Sequence, residues 1–254
     1  MYDKNKEKPV VMVTGGNRGI GQAIVLKAAE AGYRVAFTYH SDQQAGADTV
    51  REVEARGGEA LAIKADVARQ ADVKAAFASV LKHFGRLDAL VNNAGIIGEP
   101  RPIANVDERH LSAVFATNVF GAFYCVGEAV RAMSTEQGHQ GGVIVNVSSA
   151  AARHGGIPNE AHYAASKGAM DSFTLSLAKE LAPLGIRVNA IRPGLIDTTI
   201  HSVHGGQETI RRLAPTVPLG RAGTVQEVAN TVLFLLSQDS SYIHGALVDI
   251  SGGR

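Results

Sequence analysis

Seven short apolar segments rich in β-branched residues, at 10–14, 35–39, 60–65, 89–91, 143–147, 187–191 and 246–250, recur along the chain with amphipathic stretches of helical period between them. Strands that alternate with helices predict a parallel sheet, because parallel neighbours need a crossover and a helix supplies it. The run Val143-Ile-Val-Asn-Val147 is apolar almost throughout, not on alternate residues, which suits a strand covered on both faces. Right-handed crossovers then wind helices onto both sides of the sheet, giving a doubly wound, Rossmann-type α/β layout. With 254 residues, 45% of them hydrophobic, residues 1–254 are expected to form a single domain around one core. A polar tail occupies 1–9. The least regular region is 197–218, where His201, His204, Gly205, Gly206 and two prolines gather, and it reads as a substrate flap with one or two short helices.

Charge excludes several partners. Lys and Arg number 25 against 24 Asp and Glu, for a net charge of +1, and no basic cluster stands out. Nucleic-acid and anionic-membrane surfaces are therefore not expected, and the partner is a small molecule. Cys125 is the only cysteine and lies in an apolar run, so it reads as a buried thiol in a reducing compartment. The first nine residues carry no apolar leader and no stretch of about 18 apolar residues follows, so a cytoplasmic protein is expected.

Directly after the first strand comes Thr14-Gly-Gly-Asn-Arg-Gly-Ile-Gly21, followed by a helical run at 22–31. Glycines let backbone approach a pyrophosphate, whose charge is met by the N–H groups and dipole of the opening helix. Gly15, Asn17, Arg18, Gly19, Ile20 and Gly21 are thus candidate dinucleotide contacts, although the spacing G-x-x-x-G-x-G departs from G-x-G-x-x-G. The second strand ends in Tyr39-His-Ser41 with no acid at its tip. Arg18, His40 and Ser41 would meet a ribose 2′-phosphate, which favours NADP(H) over NAD(H), and Asp42 reads as the N-cap of a helix at 43–56.

Tyr163-Ala-Ala-Ser-Lys167 places a phenol and an ammonium four residues apart, stacked on one helix face. A free tyrosine titrates near ~10, and a neighbouring ammonium favours the phenolate, so the pair is a candidate proton exchanger.

Thr14-Gly-x-x-x-Gly-x-Gly21, Asn92-Asn-Ala-Gly95, Asn118, Ser149, Tyr163-x-x-x-Lys167 and Pro193-Gly194, in that order, resemble the short-chain dehydrogenase/reductase family over nearly the whole length. The resemblance implies a sheet of order 3-2-1-4-5-6-7. It implies that Tyr163 exchanges a proton with the substrate oxygen as hydride moves to or from nicotinamide, and that Lys167 lowers the pKa of Tyr163 and bonds the nicotinamide ribose. Ser149 would hold the substrate oxygen, with Ser148 as the alternative, because one more residue than usual separates Ser149 from Tyr163. Asn118 would help position Lys167 and relay protons. Asp66 and Val67 would contact adenine, and Asn92, Ala94 and Gly95 would support the adenine ribose and the sheet. Pro193 and Gly194 would let backbone pass the nicotinamide, with Ile196 and Thr198 against its ring and carboxamide. The C-terminal strand and the helices of Asn118 and Tyr163 resemble those that build homotetramers.

His201 and His204 share a helical turn but lack a third ligand, so no metal is expected and substrate contact is their candidate role. His154 and His162 flank the active-site segment, and Arg153 is a candidate anchor for an acidic substrate. Two substrate classes compete: a free sugar, polyol or keto compound, and a 3-oxoacyl thioester on a carrier protein. Segments 134–141 and 182–185, where a carrier would be met, contain no Lys or Arg, which favours the free compound. A catalytically silent protein that senses NADP(H) is the reading from another class, and retention of Ser149, Tyr163 and Lys167 weighs against it.

Overall fold

The computed structural model describes residues 8–198 and 206–254. Its strands are β1 (Val10–Val13), β2 (Arg34–Tyr39), β3 (Glu59–Lys64), β4 (Ala89–Asn92), β5 (Gly142–Val147), β6 (Ile186–Pro193) and β7 (Leu247–Ile250). All pairs are parallel, in the order β3-β2-β1-β4-β5-β6-β7. Strand ends fall within two residues of those read from the sequence.

Why the strands are apolar on successive residues is visible in β1. Val10 and Met12 enter a core with Phe77, Met133 and Met170, while Val11 and Val13 enter the opposite one with Ile24, Val232 and Leu235. The period-two pleat sends neighbours to opposite faces, and both faces are covered. One face carries α1 (Gly19–Glu30), α2 (Gln43–Ala55) and α9 (Val225–Leu236); the other carries α3 (Gln70–Phe84), α5 (Gly121–Met133) and α7 (Ala161–Leu181). The short helices are α4 (Glu108–Phe115), α6 (Ala151–His154) and α8 (Gln207–Leu213).

A single π turn, Ala116–Phe120, joins α4 to α5 and contains Asn118. The helical run 108–133 is long and apolar enough by composition to cross a bilayer. Here its residues Ala122, Cys125, Val126, Ala129 and Met133 pack into the core against the sheet. Helix α1 starts at Gly19, three residues before the run read from the sequence, because Arg18 is extended and acts as its N-cap. Asp42 caps α2, its carboxylate accepting from Ala45 N–H at 3.0 Å.

The strand order reverses between β1 and β4, and the loops leaving their C-terminal ends part to open a crevice. Within the expected flap the structure describes α8 and a 3-10 turn at Ala214–Thr216; His201 and His204 lie outside the described residues.

Candidate active site

The chain leaves β1 through Thr14 and turns at Gly15 and Gly19, both in the left-handed region with φ of +66° and +56°. A Cβ on Gly21 would lie 2.1 Å from the carbonyl oxygen of Gly15, so only glycine lets the first turn of α1 fold against the loop. The loop is braced from both neighbouring strands. Thr14 Oγ1 accepts from the N–H groups of Asn93 and Ala94 at 3.0 and 2.9 Å. Asn93 Nδ2 donates to the carbonyls of Thr14 and Gly15 at 2.8 and 3.1 Å, and Gly15 N–H donates to Thr38 Oγ1 at 3.0 Å. Thr14, Thr38 and Asn93 are absent from the residues singled out as sites. The signal was there for Thr38, a polar side chain at the tip of an apolar strand.

A cleft of about 610 Å³ runs from this loop across the C-terminal ends of the strands. Gly15, Asn17, Arg18, Gly19, Ile20 and Gly21 line one end with His40, Ser41, Asp66 and Val67, while Ala94 and Gly95 lie between. Ser149, Tyr163, Lys167, Pro193, Gly194, Ile196 and Thr198 line the other end. His40 Nε2 stands 3.9 Å from Asp66 Oδ2, and the Asp66 carboxylate also accepts from Ala68 N–H at 3.0 Å. Asn92 does not reach the cleft. Its side chain points within the sheet, donating to Asn146 Oδ1 at 2.9 Å, and Asn146 in turn donates to Thr174 Oγ1 on α7. The ribose role expected of Asn92 therefore has no geometric basis, whereas its role in the sheet has one. Gly194 lines the cleft, and a Cβ there would also sit 2.8 Å from the Cα of Ser251.

Tyr163 and Lys167 occupy successive turns of α7. Ser149 and Tyr163 line the same end of the cleft, and Ser149 Oγ accepts from Ala151 N–H at 3.1 Å. Ser148 is turned away, donating to the carbonyl of Lys167 at 3.1 Å. The loop between Ser149 and Tyr163 is shaped by three left-handed residues, Gly155, Gly156 and Asn159. Lys167 is buried, with Nζ donating to the Val147 carbonyl at 2.8 Å and lying 5.8 Å from the centre of the Tyr163 ring.

Burial dominates the protonation of both groups. It pushes the Tyr163 phenol up to about 12, against the opposing influence of the Ser149 hydroxyl and helped by the charge of Glu160. It pulls the Lys167 ammonium down to about 8, partly resisted by Asp171. The lowered phenol expected from the neighbouring lysine is thus not a property of the chain by itself: desolvation of the phenolate outweighs an ammonium that is itself buried and held by a carbonyl.

Asn118 lies behind Lys167 rather than in the cleft. Its amide bonds both backbone groups of Ile96 and donates to Ser166 Oγ at 3.0 Å. A cavity of about 10 Å³ is bounded by Asn118, Lys167, Asn92 and Cys125. His162 is buried with Nε2 3.0 Å from the Ile97 carbonyl and its ring edge-on to His110, so it does not line the cleft; His154 does.

Residues 15–254 match a protein-family model described as enoyl-(acyl carrier protein) reductase. The chain is 40% identical over 245 residues to the uncharacterized oxidoreductase YgfF of Escherichia coli, covering 96% of this chain and 99% of that protein. It is 38% identical over 242 residues to FabG of Staphylococcus aureus, a 3-oxoacyl-[acyl-carrier-protein] reductase, covering 95% and 96% of the two chains. Among solved structures, 3-ketoacyl-(acyl-carrier-protein) reductase from Brucella melitensis complexed with NADH matches with a TM-score of 0.89 at 32% identity, over 98% of each chain.

Proposed function

Because the chain belongs to the short-chain dehydrogenase/reductase family, whose members are nicotinamide-dependent oxidoreductases, we propose that it is an NADP(H)-dependent carbonyl reductase acting on a free small molecule. The observation that carries the reading is that Ser149, Tyr163 and Lys167 line one end of the cleft together, with the buried Lys167 ammonium one helical turn from Tyr163.

The dinucleotide, when bound, supplies or receives the hydride. The glycine loop and the first turn of α1 leave room for its pyrophosphate, since a side chain at Gly21 would close the cradle. Tyr163 is protonated at neutral pH and donates to the substrate oxygen as charge develops there, while Ser149 holds that oxygen in line. Lys167 stabilises the phenolate left behind. Asn118 and Lys167 border a cavity with room for a single water, which supports a route for returning the proton from solvent.

Arg18, exposed on the glycine loop, together with His40 and Ser41, favours a 2′-phosphate, and Asp42 is engaged in capping α2 instead of awaiting a ribose hydroxyl. Exposed Phe120, Phe123 and Leu175 on the helices of Asn118 and Tyr163, with Phe234 and Tyr242 near the C-terminal strand, support a homotetramer. A second reading, 3-oxoacyl-[acyl-carrier-protein] reduction, is favoured by the similarity to FabG and opposed by the absence of Lys or Arg from 134–141 and 182–185.

The test is nicotinamide absorbance with NADPH and NADH over diketones, sugars, keto esters and 3-oxoacyl thioesters. NADPH-dependent reduction of a free carbonyl compound is expected, with Tyr163→Phe losing about 10³-fold in kcat while NADPH affinity is kept. Equal use of NADH would overturn the cofactor assignment. Tight NADPH binding with no carbonyl reduced would leave a sensor.

A further inference from the structure

The segment after β7, Ser251-Gly-Gly-Arg254, turns back through Gly252 and Gly253 at φ of +63° and +94° and reaches the cleft through Arg254. The main-chain oxygen of Arg254 is held twice, by Ser251 Oγ at 2.8 Å and by Arg153 Nη2 at 2.6 Å. Arg153 Nη1 in turn stands 3.6 Å from Asp249, and Asp249 stands 3.8 Å from Arg192, which pairs with the buried Asp171 at 2.8 Å. This ladder of charges ties the turn to α7, one helical turn beyond Lys167. Arg153, the candidate anchor for an acidic substrate, is engaged in the ladder.

Arg254 lines this end of the cleft together with His154 and Glu160. Among the described residues no carboxylate lies within ion-pair distance of the Arg254 guanidinium. His154 Nδ1 accepts from Gly156 N–H at 3.2 Å, which leaves the ring proton on Nε2 as a free donor. Burial, and after it the charge of Arg254, hold the His154 imidazole below its ordinary value, so it is neutral at pH 7. The acid at this end, Glu160, is buried at the start of α7 and accepts from Ile157 N–H at 3.3 Å.

We propose that Arg254 and His154 form an anion subsite for the substrate, so that the carbonyl compound reduced here carries a carboxylate or a phosphate. A guanidinium beside an N–H donor suits either group, since both present paired oxygens to the planar fork. The inference rests on the reading of Tyr163 as the proton donor to a carbonyl oxygen.

Matched pairs test it: acetoacetate against methyl acetoacetate, and dihydroxyacetone phosphate against dihydroxyacetone, each with NADPH. At least one charged member should exceed its neutral partner about tenfold or more in kcat/KM, and the pair that does so identifies the anion. Arg254→Gln should cut that preference at least tenfold, mainly through KM, and Arg254→Lys should retain part of it. Should Arg254→Gln fail to fold, His154→Leu serves as the second variant and should weaken the same preference. No preference in the unmodified protein, or a preference untouched by the variants, overturns the subsite. If the neutral compounds are reduced with Tyr163 dependence but without a charge preference, the anchor alone falls; if no carbonyl is reduced, both readings fall.

Discussion

Asn118 closes on the backbone of Ile96 from both sides: Nδ2 donates to its carbonyl and Oδ1 accepts from its N–H, each at 2.8 Å. The same amide reaches Ser166, whose hydroxyl donates to the carbonyl of Tyr163 at 2.7 Å. One side chain therefore joins the loop after β4 to the helix of Tyr163. Asn118→Ala leaves two backbone groups without partners and should destabilise the protein by about 2–4 kcal/mol in urea unfolding. It should also lower kcat more than it raises KM for NADPH. Wild-type stability in that variant would show that the clamp is idle.

Gly21 tests the cradle. The Cβ of Gly21→Ala would lie 2.1 Å from the Gly15 oxygen and 2.5 Å from Asn93 Nδ2, so the loop must open to admit it. NADPH affinity measured by fluorescence titration should fall more than tenfold, about 1.4 kcal/mol or more. Far-UV circular dichroism should be preserved, because the displaced loop is not part of either core. Unchanged affinity would remove the pyrophosphate from this loop.

Buried Lys167 makes stability depend on alkaline pH. Its folded value is near 8, whereas an unfolded lysine titrates near about 10.4, so between these values the unfolded chain binds more protons and stability rises with pH. Tyr163 acts with the opposite sign above pH 10: the unfolded phenol ionises first, the folded one only near 12, and stability falls. Lys167→Met should abolish turnover, flatten the rise between pH 8 and 10, and change stability at pH 7 by about +2 kcal/mol or less, since Val147 loses its donor. Thermal midpoints across pH would read all of this, and a rise that survives in the variant would assign it elsewhere.

Asp171 and Arg192 form a pair that is mostly shielded from solvent. Arg192→Leu leaves the Asp171 carboxylate without its cation and should cost about 3–5 kcal/mol, while Asp171→Leu combined with Arg192→Leu should recover much of that loss. The double-mutant cycle in urea gives the coupling. Additive effects would mean that the two side chains do not act as a pair.

Much of the fold was legible because its signals are local. Apolar runs of strand length separated by helical periods need no knowledge of distant partners, and glycines at 15, 19 and 21 mark a turn that other residues resist. The helix N-cap at Asp42 was equally readable, as its partner is three residues away. The departures lie where partners are remote in sequence. Asn92 and Asn93 are indistinguishable neighbours until β4 pairs with β5, which turns one into the sheet and the other onto the glycine loop.

Local spacing is enough to set the alternation of strands and helices, the glycine turn after the first strand, and the placing of Tyr163 and Lys167 on one helix face, because each follows from backbone periodicity over a few residues. Folding sets the rest: Ser148 turns to the Lys167 carbonyl and leaves Ser149 at the cleft end with Tyr163, burial holds the phenol up near 12, and Arg153 is tied down while Arg254 lines the cleft. Those outcomes depend on which segments the fold brings together and how much water it excludes, and neither is encoded in the spacing of neighbouring residues.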